Sequence, residues 1–164
     1  MKLNTRGRYG VRLLTELARQ ESEPTPVGLR SVAAATGLPM RYLEQIVRPL
    51  RRSGLISSRT GRTGGYCLAR PASAIAIQDV FDATVGPLQF IGCVDDPDGC
   101  PRGNACQTRQ VWKAMTEEVR AVLSRYSLAD LAGSDTHACE DAVGPARGRR
   151  PAKRRRARPR TPST

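Results

Sequence analysis

The sequence predicts a mainly α fold carrying one small β-hairpin, and three observations carry that prediction. Apolar residues recur at helical spacing over 5–20 and again over 39–53, where Leu43, Ile46, Val47 and Leu50 fall at i, i+3, i+4 and i+7. Two short strand-like runs, 55–58 and 66–69, flank a Gly-rich segment. A long helical pattern over 108–126 then spaces its apolar residues 3, 4, 3, 4.

In the first helix Tyr9, Leu13 and Leu17 share one face, with Val11, Leu14 and Ala18 beside it. The run Glu21-Ser22-Glu23-Pro24-Thr25-Pro26 ends it, because proline fixes φ and removes a donor. A short helix over 29–35 turns Leu29, Val32 and Ala33 inward. Gly37 suits the left-handed end of that helix, and Pro39 suits the start of the next. The helix over 39–53 carries Arg41, Glu44, Gln45, Arg48, Arg51 and Arg52 on its polar face, and Pro49 is expected to bend its last turns. Arg59-Thr60-Gly61-Arg62-Thr63-Gly64-Gly65 forms a basic hairpin tip. Two helices joined by a Gly-containing turn, then a hairpin, is the order of a winged helix-turn-helix.

Ile77, Val80, Phe81 and Thr84 suggest one more short helix, which Gly86-Pro87 ends. Residues 88–107 look irregular. In the long helix, Trp112, Met115, Val119, Val122 and Tyr126 form a coiled-coil-like seam, the expected dimer interface. Ser127 can cap a last short helix over 128–132. The expected organisation is a winged helix-turn-helix over 1–84, a cysteine-bearing loop over 85–107, a dimerisation helix and short terminal helix over 108–132, and a disordered basic tail over 133–164.

The formal net charge of +12 is unevenly placed. Nine of the 27 basic residues lie from Arg147 to Arg160, where no acid occurs, which leaves the body 18 basic against 15 acidic residues, a net of +3. A basic tail attracts any polyanion without selecting a sequence, so the body must supply specificity. No apolar run approaches the ~20 residues of a membrane span. The basic N-terminus lacks a secretion signal's apolar stretch, and a cytoplasmic location is expected.

The helix over 39–53 has the make-up of a DNA reader. Its first turns carry Arg41, Tyr42, Glu44 and Gln45; Arg suits guanine edges, Gln suits adenine, and Glu accepts from cytosine. Arg48, Arg51 and Arg52, with Lys2, Arg6 and Arg8 of the N-terminal region, are placed for phosphates. Arg59 and Arg62 of the hairpin tip suit the minor groove. A merely solvated basic face explains single arginines. It does not explain their concurrence with a helix-turn-helix and a basic hairpin.

Of five cysteines, Cys93, Cys100 and Cys106 cluster in one loop with Gly92, Gly99 and Gly103. Three thiolates on a glycine-rich loop suit an iron–sulfur cluster with one position left open. An open position makes a cluster labile, as a sensor requires. Zinc prefers four ligands and CxxC pairs, which are missing here. Burial as core is at odds with Asp95, Asp96, Asp98, Arg102 and Asn104 nearby. A thiol–disulfide switch between two of the three is the serious rival. Cys67, in a strand, reads as structural, and the pair His137 and Cys139 as accidental.

Tyr42-Leu43-Glu44-Gln45-Ile46, the run from Leu50 through Gly54-Leu55-Ile56 to Ser58, and Gly64-Gly65-Tyr66-Cys67-Leu68-Ala69-Arg70 resemble the Rrf2 family of transcription regulators. Met1-Lys2-Leu3 and Gly7-Arg8-Tyr9 match as well, and the similarity runs in order to about residue 131. The resemblance implies a homodimer of winged helices joined by a long helix, bound to double-stranded DNA. Cluster-binding members, the IscR-like and NsrR-like ones, carry three cysteines in this loop before a Trp-containing helix, as Cys106 precedes Trp112. The implied cofactor is an iron–sulfur cluster, 4Fe–4S ahead of 2Fe–2S.

Three departures from the family pattern stand out. The wing of the family often reads Arg-Gly-Pro-Gly-Gly-Gly-Tyr, whereas Thr60 holds the usual arginine's place, with Arg59 and Arg62 on either side. Pro39, Met40 and Arg41 stand where well-known members are Ser-rich. IscR-like members place a His three positions after the last cysteine, and NsrR-like members use an acid near the start of the first helix; here Arg109 and Arg8 occupy those places. The fourth ligand is left open among Asp95, Asp96, Asp98, a partner-subunit residue and a small molecule. The expectation is thus a homodimeric DNA-binding regulator sensing iron–sulfur status, iron, oxygen or nitric oxide. Its alternatives are a cluster-free regulator acting by thiol switch or small-molecule effector, and, more remotely, a redox enzyme or electron carrier. No paired acid and base or phosphate loop supports catalysis.

Overall fold

Leu13, Leu14 and Leu17 are fully buried on one face of α1 (Thr5–Gln20), and the other elements gather around that face. The computed structural model describes residues 4–20, 26–61, 63–94, 96–102 and 105–133. After α1 come α2 (Leu29–Thr36), α3 (Met40–Arg52), β1 (Ile56–Arg59), β2 (Gly65–Leu68), α4 (Ile77–Thr84), α5 (Gln107–Arg125) and α6 (Leu128–Ala132). The chain is therefore mainly helical with a two-stranded antiparallel hairpin.

Gly37, at φ 69°, ends α2 in the left-handed region and donates its N–H to the Ala33 carbonyl at 2.9 Å. Pro39 does not begin α3 but caps it, accepting from the Tyr42 and Leu43 amides. Leu43, Ile46, Val47 and Leu50 bury the apolar side of α3. The helix runs through Pro49 to Arg52, and the Leu55 amide then bonds the Leu50 carbonyl to bring the chain into the hairpin. Packing of Leu50 on one side of the proline and Ile46 on the other offsets the lost backbone bond.

β1 and β2 pair from Ile56↔Leu68 to Arg59↔Gly65. Val27, just before α2, adds an antiparallel bridge to Tyr66, with bonds of 2.8 and 2.9 Å. This tethers the hairpin to the start of α2. Glycine is required at position 7 by close approach: a Cβ there would lie 2.5 Å from the Phe81 ring, where α1 packs on α4.

α5 stands apart from the core over most of its length, with Thr116 its one buried residue. Its C-terminal end is tied down. The Ile77 amide bonds the Tyr126 carbonyl, the Leu128 amide bonds the Ile75 carbonyl, and Leu128 is fully buried. Ser127 caps α6, exchanging bonds with Asp130 as a capping box. Residues 128–132 thus pack with the winged helix, chiefly on α1. Among the described residues no helix is long and apolar enough to cross a membrane.

Candidate DNA-binding face and cysteine loop

Burial of its apolar side leaves α3 presenting Arg41, Tyr42, Glu44, Gln45, Arg48, Arg51 and Arg52, all exposed. The side facing the hairpin forms a cleft of about 260 Å³ in which Glu44, Arg48 and Arg51 meet Tyr66 of β2. Arg51 also reaches Ser58 of β1 at 3.4 Å. The other side forms a cleft of about 470 Å³ joining Gln45, Arg48 and Arg52 to Arg6 of α1. Two arginine-bearing clefts therefore flank one exposed helix.

Tyr42 is held from behind. Its ring meets that of Tyr9 edge-on, centroids 5.8 Å apart, which fixes the first turn of α3 against α1. Arg8 is exposed on α1, and Arg59 is exposed at the end of β1. Lys2 and Arg62 lie outside the described residues. Asp82 of α4 lines the larger basic cleft. Sequence reasoning missed it, because only the tertiary fold brings α4 beside α3.

The cysteine loop has more order than its composition suggests. Cys93 sits in a one-turn helix, Gly92–Val94, and Cys100 follows a second, Pro97–Gly99. Cys106 is the N-cap residue of α5. All three thiols are free and half-buried. Cys93 and Cys100 line one cavity of about 580 Å³, together with Gln89 and Asp96. Asp96 accepts a bond from the Gly99 amide, which shapes the turn between the two cysteines.

Two arginines of α5 hold the loop. Arg109 donates to the carbonyls of Cys93, at 2.8 Å, and Val94, at 3.2 Å. Arg120 donates to the Leu88 carbonyl at 2.8 Å. The Thr108 hydroxyl, 3.1 Å from the Cys106 sulfur, holds that thiol below its ordinary range, aided by the Arg109 amide and the Arg102 charge against partial desolvation. Cys106 is thereby biased toward thiolate, the form that ligates metals and attacks electrophiles.

The donor set suits a thiolate-bound group, since three free thiols share one loop fastened to one helix. Among the described residues, however, no three His, Cys, Asp or Glu side chains converge on one point, and Cys106 does not line the cavity shared by the other two. Asp95, His137 and Cys139 lie outside the described residues, while Cys67 is buried in β2. On α5, Trp112, Met115 and Val119 are half-buried, and Val122 and Tyr126 are 38% and 54% exposed.

An exposed, basic second helix of a helix-turn-helix, flanked by a hairpin, defines the class: a winged helix-turn-helix transcription regulator that binds DNA. Residues 3–134 match the Rrf2 family, described as an iron-dependent transcriptional regulator. Protein rrf2 of Nitratidesulfovibrio vulgaris is 38% identical over 131 residues, covering 80% of this chain and 87% of that one. The regulator IscR of Yersinia pseudotuberculosis is 35% identical, covering 80% and 79%. The structure of CymR, the global cysteine regulator of B. subtilis, matches with a TM-score of 0.67 at 34% identity, covering 81% of this chain and 97% of that one. T. potens IscR matches with a TM-score of 0.66 at 34% identity, covering 81% and 87%. The chain belongs to the Rrf2 family of transcription regulators. These relatives are named as regulators and not as enzymes.

Proposed function

We propose that the chain is a homodimeric, sequence-specific regulator that senses iron, oxygen or nitric oxide status through an iron–sulfur cluster held by Cys93, Cys100 and Cys106. The observation that carries this is the placement of three free thiols on one loop fastened to α5 by Arg109 and Arg120. Bound by three protein thiolates, a cluster of the 4Fe–4S type, ahead of 2Fe–2S, supplies an iron site labile to oxidants and iron loss. The lowered pKa of Cys106 favours the thiolate form that ligates iron, and Arg109 ties the Cys93 turn to the start of α5.

Dimerisation through Trp112, Met115, Val119, Val122 and Tyr126 sets two α3 helices about one DNA turn (~34 Å) apart, favouring a pseudo-palindromic operator. Arg41, Tyr42, Glu44 and Gln45 face base edges. Arg6, Arg8, Arg48 and Arg51, with Lys2, contact phosphates, and Arg59 and Arg62 the minor groove. A shift of the loop at one end of α5 reaches the DNA face because the Tyr126 carbonyl and Leu128 tie the other end to the winged helix.

The test is the visible spectrum of anaerobically purified protein, with iron and sulfide assayed alongside. Brown protein that loses its colour as Cys93→Ala, Cys100→Ala or Cys106→Ala supports the cluster. Equal operator binding with and without cluster, at fixed salt, would reject the coupling.

A cluster-free thiol switch has one observation in its favour: Cys93 and Cys100 line the same cavity and Cys106 does not. The oxidized form of Staphylococcus aureus CymR matches with a TM-score of 0.63 at 38% identity, covering 80% of this chain and 96% of that one. In such a switch hydrogen peroxide takes two electrons and two protons from Cys93 and Cys100, its O–O bond breaks to give two waters, and one S–S bond forms. Protein that stays colourless after reconstitution, with that disulfide seen by mass spectrometry, decides for it.

A further inference from the structure

Tyr9 and Arg12 lie three residues apart on α1, and both touch the segment that leads from α2 into α3. Arg12 donates to the carbonyl of Thr36, the last residue of α2, at 2.6 Å. Carbonyls in the last turn of a helix lack partners within the helix, and a cation there is favoured by the helix dipole. The Tyr9 ring stands edge-on to that of Tyr42, with 5.8 Å between centroids and 87° between planes. Thr36 and Tyr42 bracket the turn of the helix-turn-helix, so α1 holds that turn at both ends.

The two contacts differ in kind. Arg12 holds backbone, whereas Tyr9 holds a side chain. Tyr42 is 47% exposed in the first turn of α3, and an aromatic residue on a helix has two ready χ1 positions. With the turn fixed, the direction of this side chain is the freedom that is left. Tyr9 is half-buried and packs against the core, so its ring is a fixed neighbour. Edge-on pairing is directional, and it favours the one Tyr42 position that meets that ring. The contact is between rings and asks nothing of either hydroxyl.

We propose that Tyr9 is a positioning residue for operator recognition: its ring holds the Tyr42 side chain in the orientation that reads DNA. A residue of α1 thereby contributes to sequence preference through Tyr42, without itself reading a base. This rests on the reading of the chain as a sequence-specific regulator with Tyr42 on its DNA face; it requires neither a cluster nor a thiol switch.

The test is binding of the full chain, at fixed salt, to a duplex that the wild type selects from a random pool and to a scrambled duplex. Tyr9→Leu keeps apolar volume toward the core and removes the ring; it weakens binding to the selected duplex roughly two- to tenfold and leaves the scrambled duplex unchanged. Tyr9→Phe keeps the ring and binds as the wild type does. In a Tyr42→Leu background, Tyr9→Leu costs nothing further, because Tyr9 acts only through Tyr42. Thermal unfolding establishes that each variant is folded, and Tyr9→Ile replaces Tyr9→Leu where the latter is not. Equal weakening on both duplexes overturns the proposal, since it marks a role in folding alone. A loss in Tyr9→Phe, or a Tyr9→Leu effect undiminished in the Tyr42→Leu background, overturns it by making Tyr9 a DNA contact in its own right. Wild-type strength in Tyr42→Leu alone overturns it while leaving the regulator reading intact. A wild type that selects no sequence from the pool instead removes the sequence-specific reading, and this proposal with it.

Discussion

The Arg109 guanidinium and the Cys93 carbonyl are joined by a 2.8 Å hydrogen bond, with a second from the same side chain to Val94. The first turn of α5 thereby holds the turn that carries the first cysteine. Hydrogen bonds from charged groups contribute about 1.5–3 kcal/mol each, less where water competes. Arg109→Ala is expected to free the turn and speed alkylation of Cys93 in metal-free protein by about tenfold, equivalent to ~1.4 kcal/mol of local opening. Arg109→Lys restores part of the protection, because a point charge reaches one carbonyl but lacks the planar fork. Site-resolved labelling by mass spectrometry checks this. Equal rates in all three proteins would mean the turn holds itself.

The Cys106 thiol is held below its ordinary range chiefly by the Thr108 hydroxyl. A lowered pKa extends the thiolate form to lower pH, so the pH–rate profile for iodoacetamide at Cys106 has its midpoint below that of a free cysteine peptide. Thr108→Val removes the leading cause and moves the midpoint upward. Because the thiol meets solvent, this change is read in reactivity rather than in folding stability. Identical midpoints for wild type and Thr108→Val would assign the effect to the helix terminus alone.

The helices of the DNA face were legible because each repeats its apolar residues through several turns: Leu43, Ile46, Val47 and Leu50 declare α3 by themselves. Single-residue features were not. Val27, between Pro26 and Gly28, has no period to reveal its bridge to Tyr66. Leu128 heads a five-residue helix too short to show that it is buried beneath α1. The turn at Cys93 is held by Arg109 and the start of the loop at Leu88 by Arg120, 16 and 32 residues from their acceptors, and local sequence carries no sign of such bonds.

Gln45 and Arg51 separate base reading from phosphate contact. Gln45 is exposed beside Arg6 and Arg52, and Arg51 lies at the hairpin with Tyr66. Gln45→Ala is expected to relax preference at one operator position by about 1–3 kcal/mol. Arg51→Ala weakens binding across sequences and lowers the salt slope by about one. Binding isotherms on an operator and on scrambled DNA, at several salt concentrations, distinguish the two. A uniform loss for Gln45→Ala would remove it from the base-reading set.

Val122 and Leu128 are six residues apart yet are expected to fail in opposite ways. Val122 is 38% exposed on α5, where only Thr116 is buried, so its apolar surface contributes little to a lone protomer. Val122→Glu places a charge in the proposed seam and shifts sedimentation toward monomer, with weaker operator binding following from the loss of the paired half-site contact. The unfolding midpoint of the dilute protomer changes little. Leu128 is fully buried, and Leu128→Ala leaves a cavity costing about 2–5 kcal/mol. It also loosens the tie between the end of α5 and the winged helix, while the seam keeps its side chains and the dimer persists where the protein is folded. Denaturant unfolding paired with sedimentation at matched concentrations separates the two. A Val122→Glu protein that remains dimeric would place the subunit contact elsewhere than this face of α5.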